Sequence, residues 1–590
     1  MTTHVRRAAG TMVGAIVALA SILPASASAA PAGWSQWGQD AQHRGFVAAR
    51  GQGLERQLAN LPYDPFVGQE LADGGGALNV HYQAPLLRGD DVFMMFKTGT
   101  YTPDDGLNTR THWNSQVWNE RRLRFEHGRL VPRWSFASDW KPEPADMVLG
   151  WEPVFHAAVA GGSVYVPGAG GTVFQLDAGS GRPLRRVNPF GAIDPSTYVA
   201  GPLTAGDRGD VYYNALKLNP DETAADSWLV RIDPAGRTST RRFQDLVPNA
   251  PATCFGGFHA DLPWPPSRDA LPPSGPCGPQ RPGLNVAPAV AADGTVYTVS
   301  RADSIEAYGF LVAAGPDLEP RWAASLRDRV ADGCGVLVPV AATSAPEKGR
   351  CRNGANPGVD PQTNLLPAGR VRDLSSASPT VLPGGSVLLG VYTRYNTGRG
   401  HLFEFGRDGR FLHAADFGWD STPAVYQRGG AAHVVLKENH YDEEAGAYCN
   451  PDPGQPVSEI VCAHTGHAVG PFYLTQLDAN LVPEWRFRNT STQSCARQAD
   501  GSLRCVSDHP DGFEWCINAA AIDADGTVYA NSEDGNVYSI GQGHTGVFTE
   551  YRQRFFTSLA LDAAYTPLAI SGAGVVFTEN DGQLFAIGRR

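Results

Sequence analysis

Along residues 518–540, NAAAIDADGTVYANSEDGNVYSI, apolar and polar positions alternate with a period of two, and turn residues break the alternation at short intervals. Residues 519–522 form a short apolar run, and Asp525-Gly526 supplies the positive backbone dihedrals of a tight hairpin. Residues 527–530 alternate, 533–536 turn again, and 537–540 alternate once more. The pattern predicts strand, turn, strand, turn, strand, which is three quarters of a four-stranded propeller blade.

The chain repeats this unit. Gln83-Ala84-Pro85-Leu86 leads into 91–96, residues 152–154 into 162–166 and 172–177, and 201–203 into 210–214 and 228–233. Residues 285–288 lead into 294–300, 377–380 into 385–393 and 401–405, and 421–424 into 432–437 and 472–477. The 518–540 stretch follows, and 565–568 lead into 574–578 and 583–587. Most units open with a small residue and a proline, which suits a first strand position that donates no ladder hydrogen bond. Three outer segments share the pattern L-x-P-x-W, ending in Trp134, Trp322 and Trp485, and each Trp is expected to dock one blade on the next. The last unit stops after its third strand. A segment between Trp34 and Tyr63 is therefore expected to supply the missing fourth strand and remove the open edge. The expected fold is all-β: an eight-bladed propeller of four-stranded antiparallel blades, closed by the N-terminal segment and decorated with long loops.

Composition sharpens this picture. The 67 glycines and 45 prolines suit short strands joined by many turns. A net charge of −12 argues against a nucleic-acid partner, because phosphate binding needs basic surface. Arg6-Arg7, an apolar run over 12–23 and small residues over 25–30 read as a secretory signal over residues 1–30, which leaves 31–590 as a single propeller domain in an extracellular protein. No later stretch is apolar enough to span a membrane, and a monomer is expected. The nine cysteines fall outside the repeat cores and suit an oxidising compartment. Their order suggests the pairs Cys254/Cys277, Cys334/Cys351, Cys449/Cys462 and Cys495/Cys505, with Cys516 left over and able to replace either member of the last pair. No C-x-x-C spacing points to a metal, and His464 and His467 read as surface residues of a glycine-rich loop.

The opening Trp34-Ser35-Gln36-Trp37-Gly38, the Ser-Pro and Ala-Pro lead-ins, Asp525-Gly526-Thr527-Val528-Tyr529, the DGNVYSI of 534–540 and the LDAGSGRPL of 176–184 together resemble the quinoprotein alcohol dehydrogenase-like family of eight-bladed propellers. The resemblance covers most of the chain. It implies, for an enzyme of that family, pyrroloquinoline quinone (PQQ) and a calcium ion held by Glu and Asn, an Asp base, and a vicinal Cys-Cys ring over the quinone. Glu152 or Glu579, Asn285 or Asn518, and Asp303 would take those roles. The chain has no adjacent cysteines and no C-x-x-C-H haem site.

In such a fold one face funnels to the axis, lined by the lead-ins and by the turns between second and third strands. By position the candidates are Glu152, Asn285, Asn518 and Tyr565 on the lead-ins. On the turns they are Lys97, Arg301, Asp303, Tyr392, Arg394, Lys437, Glu438, His440, Asn531, Glu533, Asp534 and Glu579. The favoured expectation is a binding or scaffold protein without a cofactor, taking a glycan, another polar polymer or a protein in this funnel, with Trp113, Trp118, Trp264 and Tyr441 as stacking faces. One alternative is a PQQ-dependent dehydrogenase. The other is a polysaccharide lyase, with Lys437, Arg301 or Arg394 on a uronate and His440 or Tyr441 moving the proton, or a hydrolase using Glu438 and Glu533.

Overall fold

The computed structural model describes residues 1, 33–73, 78, 83–103, 113, 115–142, 154–256, 271–304, 307–330, 369–373, 375, 377–393, 400–418, 420–439, 471–497, 500, 502–510, 512–515, 517, 519–542, 549–559 and 568–589. Eight antiparallel sheets follow one another along the chain, and each is a meander running from an inner to an outer strand. The first blade is Leu86–Arg88, Asp91–Gly99, Gln116–Glu126 and Arg129–Ala137. The eighth is Ala569–Ile570, Val576–Asn580 and Gln583–Gly588, completed by Arg56–Pro62 from the N-terminal region. That strand pairs antiparallel with Gln583–Gly588, so the ring closes as the unfinished last repeat requires.

A single register position organises the blades. In each of the eight, an inner-strand residue pairs with a valine of the second strand: Val92, Val164, Val211, Val296, Val387, Val434, Val528 and Val576. All eight valines are buried. A β-branched side chain suits this pleated, two-sided packing.

The outer strands show how blades dock. The prolines of the three L-x-P-x-W segments, Pro132, Pro320 and Pro483, each sit where the register of third and fourth strands slips. A residue without an N–H is tolerated at such a bulge. Trp134 donates its indole N–H to the Ala178 carbonyl of the next blade at 3.1 Å, and Trp322 donates to the Arg407 carbonyl at 2.7 Å. Each ring covers a glycine: a Cβ on Gly181 would meet Trp134 at 2.5 Å, and one on Gly409 would meet Trp322 at 2.8 Å. The matching turn for Trp485 lies outside the described residues.

The segment from Trp34 to Tyr63 is expected to supply the closing strand, and residues 56–62 of it do so, which leaves residues 34–52 outside that strand. Inner strands of a propeller line its axis, and residues 34–52 run once around that inner ring in blade order. Trp34 exchanges backbone hydrogen bonds with Leu87 of blade 1. The N–H groups of Val159, Val290, Val381, Val425 and Ile522 donate to the carbonyls of Ser35, Ala41, Gln42, Arg44 and Gly45 at 2.6–2.9 Å. Ala205 of blade 3 donates to the Gln36 side-chain carbonyl, and Gln52 donates its backbone N–H to Gly574 of blade 8 at 2.7 Å. The strap curves because Gly38, Gln39, His43 and Gly45 all hold positive φ. Trp34, Trp37, His43 and Val47 are fully buried, so strap side chains fill the axial region.

Two of the expected disulfides are present, Cys254–Cys277 and Cys495–Cys505, each stapling a short hairpin outside the blades. Cys334, Cys351, Cys449, Cys462 and Cys516 lie outside the described residues, as do 2–32 of the expected signal segment. No helix among the described residues is long and apolar enough to cross a membrane.

Candidate functional site

The lead-in ends of the inner strands and the far ends of the second strands share one face. Three residues beyond each register valine, blades 1 to 8 carry Met95, Pro167, Asn214, Val299, Gly390, Lys437, Asn531 and Glu579. Asn214 shows where this position points: its amide N–H donates to the Val286 carbonyl on the next lead-in at 3.1 Å, and its oxygen accepts from Thr298. Blades 6, 7 and 8 therefore present Lys437, Asn531 and Glu579 in an arc of buried polar groups. Lys437 lies 3.6 Å from Asp420, itself on the blade 6 lead-in. Glu579 is wholly buried against the Tyr63 hydroxyl, and burial pushes its carboxyl well above the usual range.

Blades 4 and 5 hold a denser set on the same face. Arg281 and Arg301 stand directly opposite one another on paired strands, a repulsive placement for two cations. Asp373 resolves it, taking two bonds from Arg281 at 2.9 and 2.5 Å and one from Arg301 at 2.7 Å. Asp303 binds the remaining Arg281 nitrogen at 2.7 Å and the Ala224 N–H at 3.0 Å. These two guanidinium neighbours hold Asp373 far below the usual carboxylate range despite the opposing effect of burial. Burial first, then the facing Arg281, lowers Arg301 to about 10. Asn285, in the left-handed region at φ 62°, accepts from the Val154 N–H at 2.8 Å and donates to the Asp373 carbonyl at 3.4 Å. It thereby ties the lead-ins of blades 2 and 4 across Gly201 of blade 3, where a Cβ would come within 3.1 Å of Asn285.

The sequence candidates thus fall into groups. Asn285, Arg301 and Asp303 converge through Asp373. Lys437 and Glu579 share the polar arc. Tyr392 lies under Arg370 and Arg372, whose guanidinium carbons are 5.6 and 5.3 Å from its ring centre. Lys97 is buried between Asp64 and Glu70 at 2.9 and 3.1 Å. Glu438 is engaged by Arg486 at 2.8 Å and by the Thr475 hydroxyl at 2.6 Å, and Glu533 is buried beside Glu514. Asp534 accepts from Tyr538. Trp113 and Trp118 are core residues, with Trp118 edge-on to Trp140 at 5.0 Å, which corrects their expected role as exposed stacking faces. Glu152, Arg394, His440, Tyr441, Asn518, Tyr565 and Trp264 lie outside the described residues. Sequence reasoning missed Arg281, Asp373, Asp420 and Asn214. The first two sit where insertions rejoin the repeat, so no repeat position marks them.

The axial region carries two further groups that no motif announced. His43 on the strap donates from Nδ1 to the Pro379 carbonyl at 2.8 Å and faces the Thr204 hydroxyl at 3.4 Å through Nε2. His156 donates from Nδ1 to the Ala157 carbonyl and meets Trp37 edge-on at 5.5 Å. Burial lowers His43 to about 4 and His156 to about 3.

The calcium and PQQ implied by the family resemblance can be tested against these donors. Calcium asks for six to eight oxygens that are free to turn toward it. Here the Asn285 oxygen accepts a backbone N–H, and each Asp303 oxygen accepts one hydrogen bond, from Arg281 and from the Ala224 N–H. Glu579 belongs to blade 8, where burial favours its protonated form. Among the described residues no group of three or more His, Cys, Asp or Glu side chains is placed to hold a metal ion. Asn285 and Asp303 are thus each engaged by protein donors, and Glu152 and Asn518, the other residues nominated for this site, lie outside the described residues.

Comparison with solved structures matches this architecture. The chain is similar to a europium-containing methanol dehydrogenase at 10% identity and TM-score 0.50, over 93% of this chain and 89% of that one. It is similar to the quinohemoprotein alcohol dehydrogenase from Comamonas testosteroni at 9% identity and TM-score 0.49, over 95% and 81%. BamB from Moraxella catarrhalis matches at 12% identity and TM-score 0.40, over 90% and 99%. No protein-family model matches the chain, and no curated protein sequence does. At these identities the likeness is one of fold alone, an eight-bladed propeller of four-stranded antiparallel blades.

Proposed function

We propose that this protein is an extracellular binding or assembly propeller whose ligand is a glycan, another polar polymer or a protein, met on the face that carries the lead-ins. The observation that supports it is the commitment of polar groups to the protein itself. Asn285 ties two blades together, Asp303 and Asp373 neutralise arginines, and the strap occupies the axis. A fixed network of this kind presents a rigid polar surface, with all four acceptor sites of Asp373 occupied by Arg281, Arg301 and the Leu284 N–H. The two disulfides agree with an oxidising compartment.

The dehydrogenase alternative rests on fold likeness, and the same fold serves unrelated activities. The hydrolase alternative needs Glu438 as a free acid or base, and Arg486 with Thr475 already engages it. The test has two arms. Protein incubated with PQQ and calcium is expected to show no quinone absorbance after desalting and no dye-linked alcohol oxidation. A glycan array and a pull-down from culture supernatant are expected to return a ligand. Stoichiometric quinone with alcohol turnover would overturn the reading.

A further inference from the structure

The network on blades 4 and 5 is unevenly charged. Arg281, Arg301 and Arg372 share the electrostatic surroundings of Asp303 and Asp373, three cations against two carboxylates, on a chain whose overall charge is −12. Arg281 and Arg301 consume both carboxylates. Arg372 is different. It is half-buried, rests against the Tyr392 ring and forms no ion pair among the described residues. It is close enough to Arg301 for the two cations to repel, which adds to the lowering of Arg301. Its backbone is held on both sides, because the preceding Val371 donates its N–H to the Ala307 carbonyl at 3.0 Å and the Arg372 carbonyl accepts from the Ser375 N–H at 3.1 Å. A guanidinium laid on an aromatic face and fixed at its base is pre-organised for a planar, two-oxygen anion.

Resting on the binding reading above, we propose that Arg372 on Tyr392 is the docking point for a carboxylate of an acidic, uronate-bearing polysaccharide. The cationic excess favours an anion over a neutral glycan. Nucleic acid and anionic membrane need a broad basic surface, which one guanidinium on a chain of net charge −12 does not supply. A polymer with one carboxylate per sugar ring satisfies a single fixed guanidinium while the rest of the chain crosses the polar face.

The probe is polygalacturonate, with neutral dextran as control, measured by calorimetry on the full disulfide-bonded protein at low and high salt. Wild type is expected to bind polygalacturonate, more weakly as salt rises. Arg372→Gln is expected to lose about tenfold or more in affinity, the scale of a charge-assisted pair. Arg237→Gln, at an exposed position on blade 3, is expected to match wild type, and circular dichroism reports whether each variant is folded. Polygalacturonate binding that is unchanged in folded Arg372→Gln overturns this inference and leaves polymer binding standing. Binding of neutral glycans with none of polygalacturonate also overturns it while sparing the broader reading. Failure to bind any polymer or protein removes both.

Discussion

Acid should loosen the strap before it reaches the blades, because two neutral histidines are sealed at the axis. In the unfolded chain each titrates near 6.5, while in the fold His43 titrates at about 4 and His156 at about 3. The folded pKa values lie below the unfolded ones, so the unfolded state binds more protons as pH falls. Stability is fully present above 6.5 and is lost progressively down to the folded values. Between pH 7 and pH 5 both groups lie inside that window. Each should cost 2.303RT times 1.5, about 2 kcal/mol, or about 4 kcal/mol for the pair. Asp40, on the strap beside Arg44, is raised by burial and so contributes with the opposite sign. A comparison of variants cancels it. His156→Phe keeps a ring against Trp37 and cannot take a proton. Urea unfolding at pH 7 and pH 5 should show a wild-type loss larger than that of His156→Phe by about 2 kcal/mol. Equal pH dependence in the two proteins would refute the burial of His156 as described.

Further outcomes follow from particular contacts. Gly181→Ala places a Cβ 2.5 Å from the Trp134 ring at a φ of 72°, and should destabilise by about 1–3 kcal/mol in denaturant titration. Asp373→Ala strands Arg281 and Arg301 face to face and should cost about 3–5 kcal/mol, read as a lowered unfolding midpoint. Glu120 is fully buried on the third strand of blade 1 with Gln83 as its neighbour, and burial raises it to about 8. Its stabilising protonated form is lost as pH rises from 4.5 through 8, so Glu120→Gln should gain on wild type between pH 5 and pH 8 by a few kcal/mol, about 1.4 for each pH step crossed. Removal of residues 1–62 exposes the edge of Gln583–Gly588 and the inner strands, and should give aggregates by light scattering in place of a single species.

The repeat was legible because its chemistry is local. Asp-Gly turns, two-residue alternation and the unfinished eighth unit required no long-range information, and the register valines follow from them. The docking role of Trp134 and Trp322 was readable from three copies of one pattern. The strap was not. Its bonds run from backbone to backbone on seven blades and through the Gln36 side chain on the third, and only positive φ at Gly38 and Gly45 leaves a trace in residue type. The candidate site was half visible for the same reason. Position in the repeat nominated Arg301, Asp303, Lys437 and Glu579. It said nothing of Asp373 or Arg281, which reach the network from loop junctions, nor that Trp118 would turn into the core against Trp140.

The strap is the claim on which the filled axis and the binding reading depend, and amide hydrogen exchange addresses it directly. Peptides covering residues 34–52, together with the N–H groups of Val159, Val290, Val381, Val425 and Ile522, should be as strongly protected in the native protein as the second strands that carry the eight valines. Exchange of the 34–52 amides at the rate of an unstructured peptide would contradict a segment threaded through the ring.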